Sequence, residues 1–333
     1  MKTTSIMIQS LCIPCQNCCR YCLLSWNGKT VGTTWDRSVR IAERILAELR
    51  AEYPDVKSQF SFGYSMEHPD LRQAIRTLRR LGSPQSHFLQ CDGMRMRSDS
   101  ECDALMEMLH EEQIQELNFT VYGFRENHDF FAGRKGDYDL LMRMMRAAKD
   151  SGIQFSAGIP LTSENISQVD ELVAILQNAG SEKIILFIPH AEGRGKDISG
   201  IRLRRKDLLG LSEESRKLLN GEIYRSEADW LGKSEYPDEN KRMILISLRQ
   251  DNIDDYESRS AESIVGELEA LDERYYSTFP EFAELAETYG NPESDLMYRF
   301  RDLFHHYCML YSEDHNAQVY DVTDERQSGS RRY

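Results

Sequence analysis

Between residues 5 and 190 the apolar positions switch repeatedly from strand-like alternation to helical spacing. Residues 5–11 read as a strand. Residues 36–52 place Val39, Ile41, Ile45, Leu46 and Leu49 on one helix face. Further strands are expected at 58–63, 87–90, 117–122, 153–159 and 183–188. Helices are expected at 70–81, from Ser98 onward, at 138–149 and at 166–177. Ser98-Asp-Ser-Glu101 has the form of a capping box, and Gly152 is placed to stop the helix before it. Six β/α units in order imply parallel strands joined by right-handed crossovers. An open doubly wound sheet and a full or partial β/α barrel both satisfy this pattern. In either, function gathers where strands end and loops begin.

Beyond residue 190 the pattern changes. Residues 192–238 are polar and loop-rich, with one helical stretch at 212–219. Residues 241–248 read as another strand, and 260–312 as mostly helical. Phe300, Phe304, Tyr307 and Leu310 recur at helical spacing and are expected in a core. The tail, 327–333, is expected to be disordered.

The chain has 333 residues, 40% of them apolar, and a mean hydropathy of −0.57, as in a globular protein large enough to bury a sizeable core. No apolar run approaches a membrane span, and the apolar stretch at residues 6–8 is too short to be expected to act as a secretory signal. The net charge of −14 is concentrated at one end: residues 251–333 hold 20 acidic and 7 basic side chains. That end repels phosphates, so no nucleic-acid surface is expected there. A solvated helical surface accounts for the acidity.

The chemistry is expected in a patch just after the first strand. Cys12, Cys15, Cys18, Cys19 and Cys22 fall within eleven residues, against three cysteines in the rest of the chain. Free cysteine acts as a small hydrophobe and is usually spread through a core. This cluster does not resemble a secreted disulfide framework, and adjacent Cys18 and Cys19 are awkward disulfide partners. A reducing cytoplasm is the expected compartment. Two iron–sulfur spacings overlap here. Cys12, Cys15, Cys18 and Cys22 follow the C-x2-C-x2-C-x3-C run of bacterial ferredoxins. Cys91, Cys102 and Cys308 supply no second run, however, and Leu23 stands where those proteins have proline. Cys15, Cys19 and Cys22 follow C-x3-C-x2-C. Three thiolates leave one coordination position open for a small molecule, by the logic of catalytic metal sites. Zinc is disfavoured because two separated ligand pairs are lacking.

Cys15-x3-Cys19-x-Tyr21-Cys22 after a first strand resembles the radical S-adenosylmethionine (radical SAM) superfamily. The resemblance continues through His68-Pro69-Asp70-Leu71, Asn118-Phe-Thr-Val-Tyr-Gly123, His128-Asp129-Phe-Phe-Ala-Gly133-Arg134, the stretch from Gly158 to Asn165, and Glu192-Gly193-Arg194-Gly195. It spans residues 5–195.

This resemblance implies an α/β fold, a partial (β/α)6 barrel over 1–195, with a mostly helical extension over 196–333 that covers the substrate side. It implies one 4Fe–4S cluster on Cys15, Cys19 and Cys22, with S-adenosyl-L-methionine chelating the open iron through its amino and carboxylate groups. Reductive cleavage would give a 5′-deoxyadenosyl radical that abstracts hydrogen from a substrate. Tyr21 would pack near the adenine. Asn165, Gly158 and Arg194 would be candidates for nucleoside or carboxylate contacts. The family's Gly-Gly-Glu segment aligns with Phe62-Gly63-Tyr64. Gly63 and Tyr64 are therefore candidate cofactor contacts, without the usual acidic side chain. Cys12 and Cys18 are expected bystanders. Cys308 alone cannot supply a cysteine-rich auxiliary-cluster domain.

A flavodoxin- or ferredoxin-type electron donor is the expected partner, and the substrate a peptide side chain or a small metabolite. With strand one at residue 5, no N-terminal peptide-recognition domain is expected. A non-enzymatic iron–sulfur carrier or sensor is the rival class. His128 and Asp129 are expected to shape a loop. Arg95 and Arg97 are candidates for anion binding or a surface ion pair. His305 and His306, adjacent on a helix, are expected to point apart.

Overall fold

The structure, a computed structural model, describes residues 5–10, 15–22, 33–63, 65–191, 193–237 and 243–317. Cys12, Tyr64, Glu192 and the tail at 327–333 lie outside the described residues.

The first half alternates as its hydrophobic pattern requires. Strand β1 (Ser5–Ser10) is followed by α1 (Trp35–Glu52), β2 (Lys57–Phe62), α2 (Leu71–Arg80), β3 (Phe88–Gln90) and α3 (Asp99–Glu111). Then come β4 (Glu116–Thr120), α4 (Arg125–Ala132), α5 (Asp137–Asp150), β5 (Gln154–Pro160), α6 (Val169–Ala179) and β6 (Lys183–Phe187). Helix α1 buries Val39, Ile41, Ala42, Ile45, Leu46 and Leu49 along one stripe. Each large aliphatic among them contributes about 1.5–3 kcal/mol. Asp70 caps α2 by accepting from the Gln73 amide, and the capping box at Ser98 and Glu101 opens α3. Helix α4 is absent from the sequence expectation, which left its residues in a loop.

The parallel strands form two ladders. One runs β3-β4-β5-β6. In the other, β1 lies between β2 and β8 (Met243–Leu248). The expectation of a parallel α/β fold thus holds, with a helical C-terminal region: α7 (Glu213–Lys217), α8 (Glu227–Leu231), α9 (Ile253–Ser258), α10 (Ala261–Thr278), α11 (Phe282–Tyr289) and α12 (Phe300–His315). A short antiparallel pair, β7 (Tyr224–Ser226) with β9 (Met297–Arg299), ties that region together.

Each ladder has its own core. The β3–β6 core contains Leu89, Leu117, Phe119, Phe155 and Ile159. The other gathers Ile6, Ile8, Phe60 and Phe62 with Ile244 and Ile246 of β8 and Ile264 and Val265 of α10. Residues on both sides of position 195 share this second core. An aromatic third core contains Trp230, Phe282, Phe300, Phe304 and Tyr307, while Leu310 packs at its edge. On α12, His305 is buried against the Tyr275 hydroxyl and His306 is exposed, so the two do point apart.

Among the described residues no backbone ladder joins β2 to β3. A side chain spans the seam instead. The Gln85 amide donates to the Phe62 carbonyl at 3.0 Å, and its oxygen accepts from the Phe62 N–H at 2.6 Å. It occupies the place of a neighbouring peptide group. Gln85→Leu keeps the volume but leaves the Phe62 N–H and carbonyl without these partners. It should lower stability by about 1–3 kcal/mol, read as a fall in the denaturation midpoint. A change below about 0.5 kcal/mol would contradict the assignment.

Candidate active site

Residues 15–22 form a loop that follows β1 and lies at the C-terminal ends of the strands. The loop contains no helix or strand of its own, so its backbone must find partners elsewhere. The Gln16 N–H donates to the Gly93 carbonyl at 2.8 Å, just past β3. The Cys18 and Arg20 N–H groups donate to the carbonyls of Ala132 and Phe131 at 2.9 and 2.8 Å. Those carbonyls belong to the last turn of α4, where a helix has unsatisfied acceptors. Helix α4 therefore holds the cysteine loop. On the other side, Arg194 donates its backbone N–H to the Cys22 carbonyl at 3.0 Å and its Nε to the Cys19 carbonyl at 2.7 Å.

Two glycines make this approach feasible. Gly93 has φ +65°, and a Cβ there would stand 2.1 Å from Cys15 Sγ. Gly133 has φ +68°, and its Cβ would stand 2.6 Å from the Cys18 carbonyl oxygen. Both conformations favour glycine, and both spaces are already filled by the loop.

Asp137, at the start of α5, anchors the assembly from below. Its carboxylate accepts from Asn17 Nδ2 at 2.9 Å, from His128 Nε2 at 3.0 Å and from the Arg134 guanidinium. The Tyr122 N–H donates to His128 Nδ1 at 3.1 Å, which leaves the histidine proton on Nε2, facing Asp137. Asp129 accepts from the Gly136 and Tyr138 N–H groups and fixes the turn between α4 and α5.

Cys15, Cys19 and Cys22 line one cavity of about 230 Å3. Tyr21, Asp92, Thr120, Phe187 and His190 share its wall. Cys18 is exposed and does not line it. Burial pushes the Cys15 thiol up to about 12, with Asp92 and Cys22 adding to the rise. Cys19 is pushed well above its ordinary value, first by burial and then by Cys15 and Cys22. Tyr21 lies over Tyr122, rings 6.0 Å apart and nearly parallel, and Tyr122 stacks on Phe131 at 3.6 Å. Phe187 covers Gly158, whose absent side chain makes room for the ring.

The other expected contacts fall outside the cavity wall. Asn165 is fully buried, accepts from the Thr162 N–H, and donates to the carbonyls of Tyr122 and Pro160. It clasps the ends of β4 and β5 together. Gly63 donates to the Ser10 carbonyl at 3.1 Å. Arg97 is buried against Glu67 at 2.7 Å, and Arg95 pairs with Glu101 at 2.9 Å. For these two arginines the ion-pair reading describes the contacts.

Asp92, Thr120 and His190 were missed by sequence reasoning. Their only signal was position, at or just past the ends of β3, β4 and β6. His190 connects the cavity to the C-terminal region. Arg299 Nη1 donates to its Nε2 at 3.0 Å, so its Nδ1–H faces Asp302 Oδ1 at 3.1 Å.

Among the described residues, no three His, Cys, Asp or Glu side chains converge tightly enough to hold a single metal ion. Three thiols around a shared cavity suit a wider group, such as an iron–sulfur cluster ligated by cysteine thiolates. The donor set fits that group, and the missing side chain of Gly93 leaves the space that Cys15 Sγ occupies.

The Asp137 anchor has a pH signature. Burial opposes its charge, but the bonds from His128 and Arg134 outweigh it and hold Asp137 below its ordinary 3.8. Ionised Asp137 therefore stabilises the fold fully above pH 3.8, and the contribution is lost as pH falls further, through the folded value. Asp137→Asn should cost about 2–4 kcal/mol at neutral pH. Its deficit against the wild type should shrink below pH 3.8 in denaturant titrations.

The Radical SAM superfamily model matches residues 14–176. No curated protein matches the chain. Among solved structures, Streptococcus suis SuiB bound to S-adenosylmethionine is 11% identical with a TM-score of 0.42, covering 55% of this chain and 40% of that one. Native anSMEcpe with bound AdoMet and Cp18Cys peptide is 13% identical with a TM-score of 0.49, covering 94% and 97%. Coproporphyrinogen III oxidase (HemN) from Escherichia coli is 10% identical with a TM-score of 0.44, covering 75% and 64%. The chain spans less than half of the SuiB chain. Residues 14–176, which hold the cysteine loop, α4 and the Asp137 anchor, are a radical SAM superfamily domain.

Proposed function

We propose that this protein is a radical SAM enzyme whose cluster is held by Cys15, Cys19 and Cys22. The reading rests on one observation: the three cysteines of the C-x3-C-x2-C spacing line a single cavity at the strand ends, while Cys18 does not. A 4Fe–4S cluster bound there would supply the electron that cleaves S-adenosylmethionine to methionine and a 5′-deoxyadenosyl radical, which abstracts a substrate hydrogen atom.

The chain's own residues position the reactants and exclude water. Helix α4 and Arg194 fix the loop backbone, so the three sulfurs keep one arrangement. Tyr21, backed by Tyr122 and Phe131, provides a flat apolar wall suited to an adenine ring. Phe187 adds an aromatic side chain to the cavity wall and packs over Gly158. His190 faces the same space and carries the contact with the C-terminal region, which supplies candidate substrate contacts. The substrate is a peptide side chain or a small metabolite. The expected reductant is a flavodoxin- or ferredoxin-type protein, and the expected compartment a reducing cytoplasm.

Anaerobic reconstitution with iron and sulfide, then dithionite and S-adenosylmethionine, should yield 5′-deoxyadenosine by mass spectrometry. A loaded cluster that yields none would sink the enzyme reading and favour the iron–sulfur carrier or sensor. Alanine at Cys15, Cys19 or Cys22 should abolish the visible absorption of the cluster, and Cys18→Ala should retain it. Gly93→Ala should reduce iron content well below wild type, because its methyl group competes with Cys15 Sγ for one space. Full loading would contradict that role.

A further inference from the structure

Asp92 is a carboxylate in the wall of the cysteine cavity, and its contacts are unusual. Gln90 Nε2 donates to Oδ2 at 2.8 Å, Thr120 Oγ1 donates to Oδ2 at 2.9 Å, and the Thr120 N–H donates to Oδ1 at 2.9 Å. All three partners are neutral. Among the described residues no Lys, Arg or His pairs with it. The other carboxylate in the wall, Asp137, is satisfied by an arginine, a histidine and an amide.

A carboxylate taken from water needs a compensating charge or several donors. Asp92 has donors that hold it as an acceptor, and it has no cation. An ionised carboxylate offers about four acceptor sites. Three are used, and Oδ1 carries only one bond. The side chain is therefore fixed in orientation and incomplete in charge, at the edge of a cavity large enough for part of a ligand. Burial also opposes its charge.

Resting on the function proposed above, we infer that Asp92 receives the amino group of S-adenosylmethionine. The ligand's sulfonium is cationic but has no hydrogen to donate. An amino group that chelates the open iron would carry no extra proton, but its two N–H donors would be polarised by the metal. They are the donors best matched to a carboxylate that has a free lone pair and no cation. Gln90 and Thr120 act as positioning residues, because they aim the carboxylate at the cavity.

Equilibrium dialysis of the reconstituted protein tests this with two ligands, S-adenosylmethionine and its analogue lacking the α-amino group. Asp92→Asn should weaken S-adenosylmethionine binding about 10- to 100-fold and leave the analogue within about twofold. Equal weakening of both ligands, or no weakening of either, would overturn the assignment. Should Asp92→Asn load less iron and sulfide than wild type, Thr120→Val carries the comparison. It keeps the carboxylate and removes one bond that aims it. It must then weaken S-adenosylmethionine binding selectively, and a non-selective effect overturns the inference. Failure of the loaded wild type to bind S-adenosylmethionine would sink the functional reading too. Normal wild-type binding with an unaffected variant would sink the Asp92 role alone.

Discussion

The site depends on the end of one helix. The carbonyls of Phe131 and Ala132 close α4, and the N–H groups of Cys18 and Arg20 close the cysteine loop. The two sets bond to each other across the segments. Each completes the other, and Gly133 turns left-handed so that the two backbones can meet. Asp137 then locks the pair through Asn17, His128 and Arg134. The loop has little regular structure, yet it is attached at both flanks and from below. That degree of fixing is needed if three sulfurs are to meet one rigid group.

Much of this fold can be read directly from periodicity. The alternation of Ile6 and Ile8, or the stripe Ile41–Ile45–Leu49, requires a buried face and leaves little choice of element. The cysteine spacing likewise singles out Cys15, Cys19 and Cys22. Helix α4 was less legible. It is only eight residues long, has exposed Phe130 beside buried Phe131, and ends in a Gly-Arg-Lys-Gly turn that resembles a loop. Its stability comes from what it holds rather than from its own propensity.

Pairing was also invisible. Residues 241–248 read as a strand, and 243–248 form one, but periodicity carries no information about which neighbour a strand takes. Their place beside β1 brings α10 into the second core. The candidate contacts drawn from resemblance show the same limit. Asn165 and Arg194 sit close to the site in the chain's path, yet both hold backbone carbonyls there, Asn165 those of Tyr122 and Pro160 and Arg194 that of Cys19. Asp92 and His190 belong to the cavity because of where β3 and β6 stop, which is a tertiary fact.

The Gln85 bridge has a consequence for how this sheet tolerates change. A backbone ladder transmits register, so a slip in one strand must be answered in the next. A single side-chain amide transmits none. Each ladder has its own hydrophobic core, and between β2 and β3 the alternation of one half does not dictate that of the other. Insertions or strand shifts on one side of Gln85 can therefore accumulate without reorienting the strands that carry Asp92 and Thr120. The fold has, in effect, an expansion joint: a place where the half that contains β1 and β8 can be remodelled while the strands β3–β6 keep their geometry.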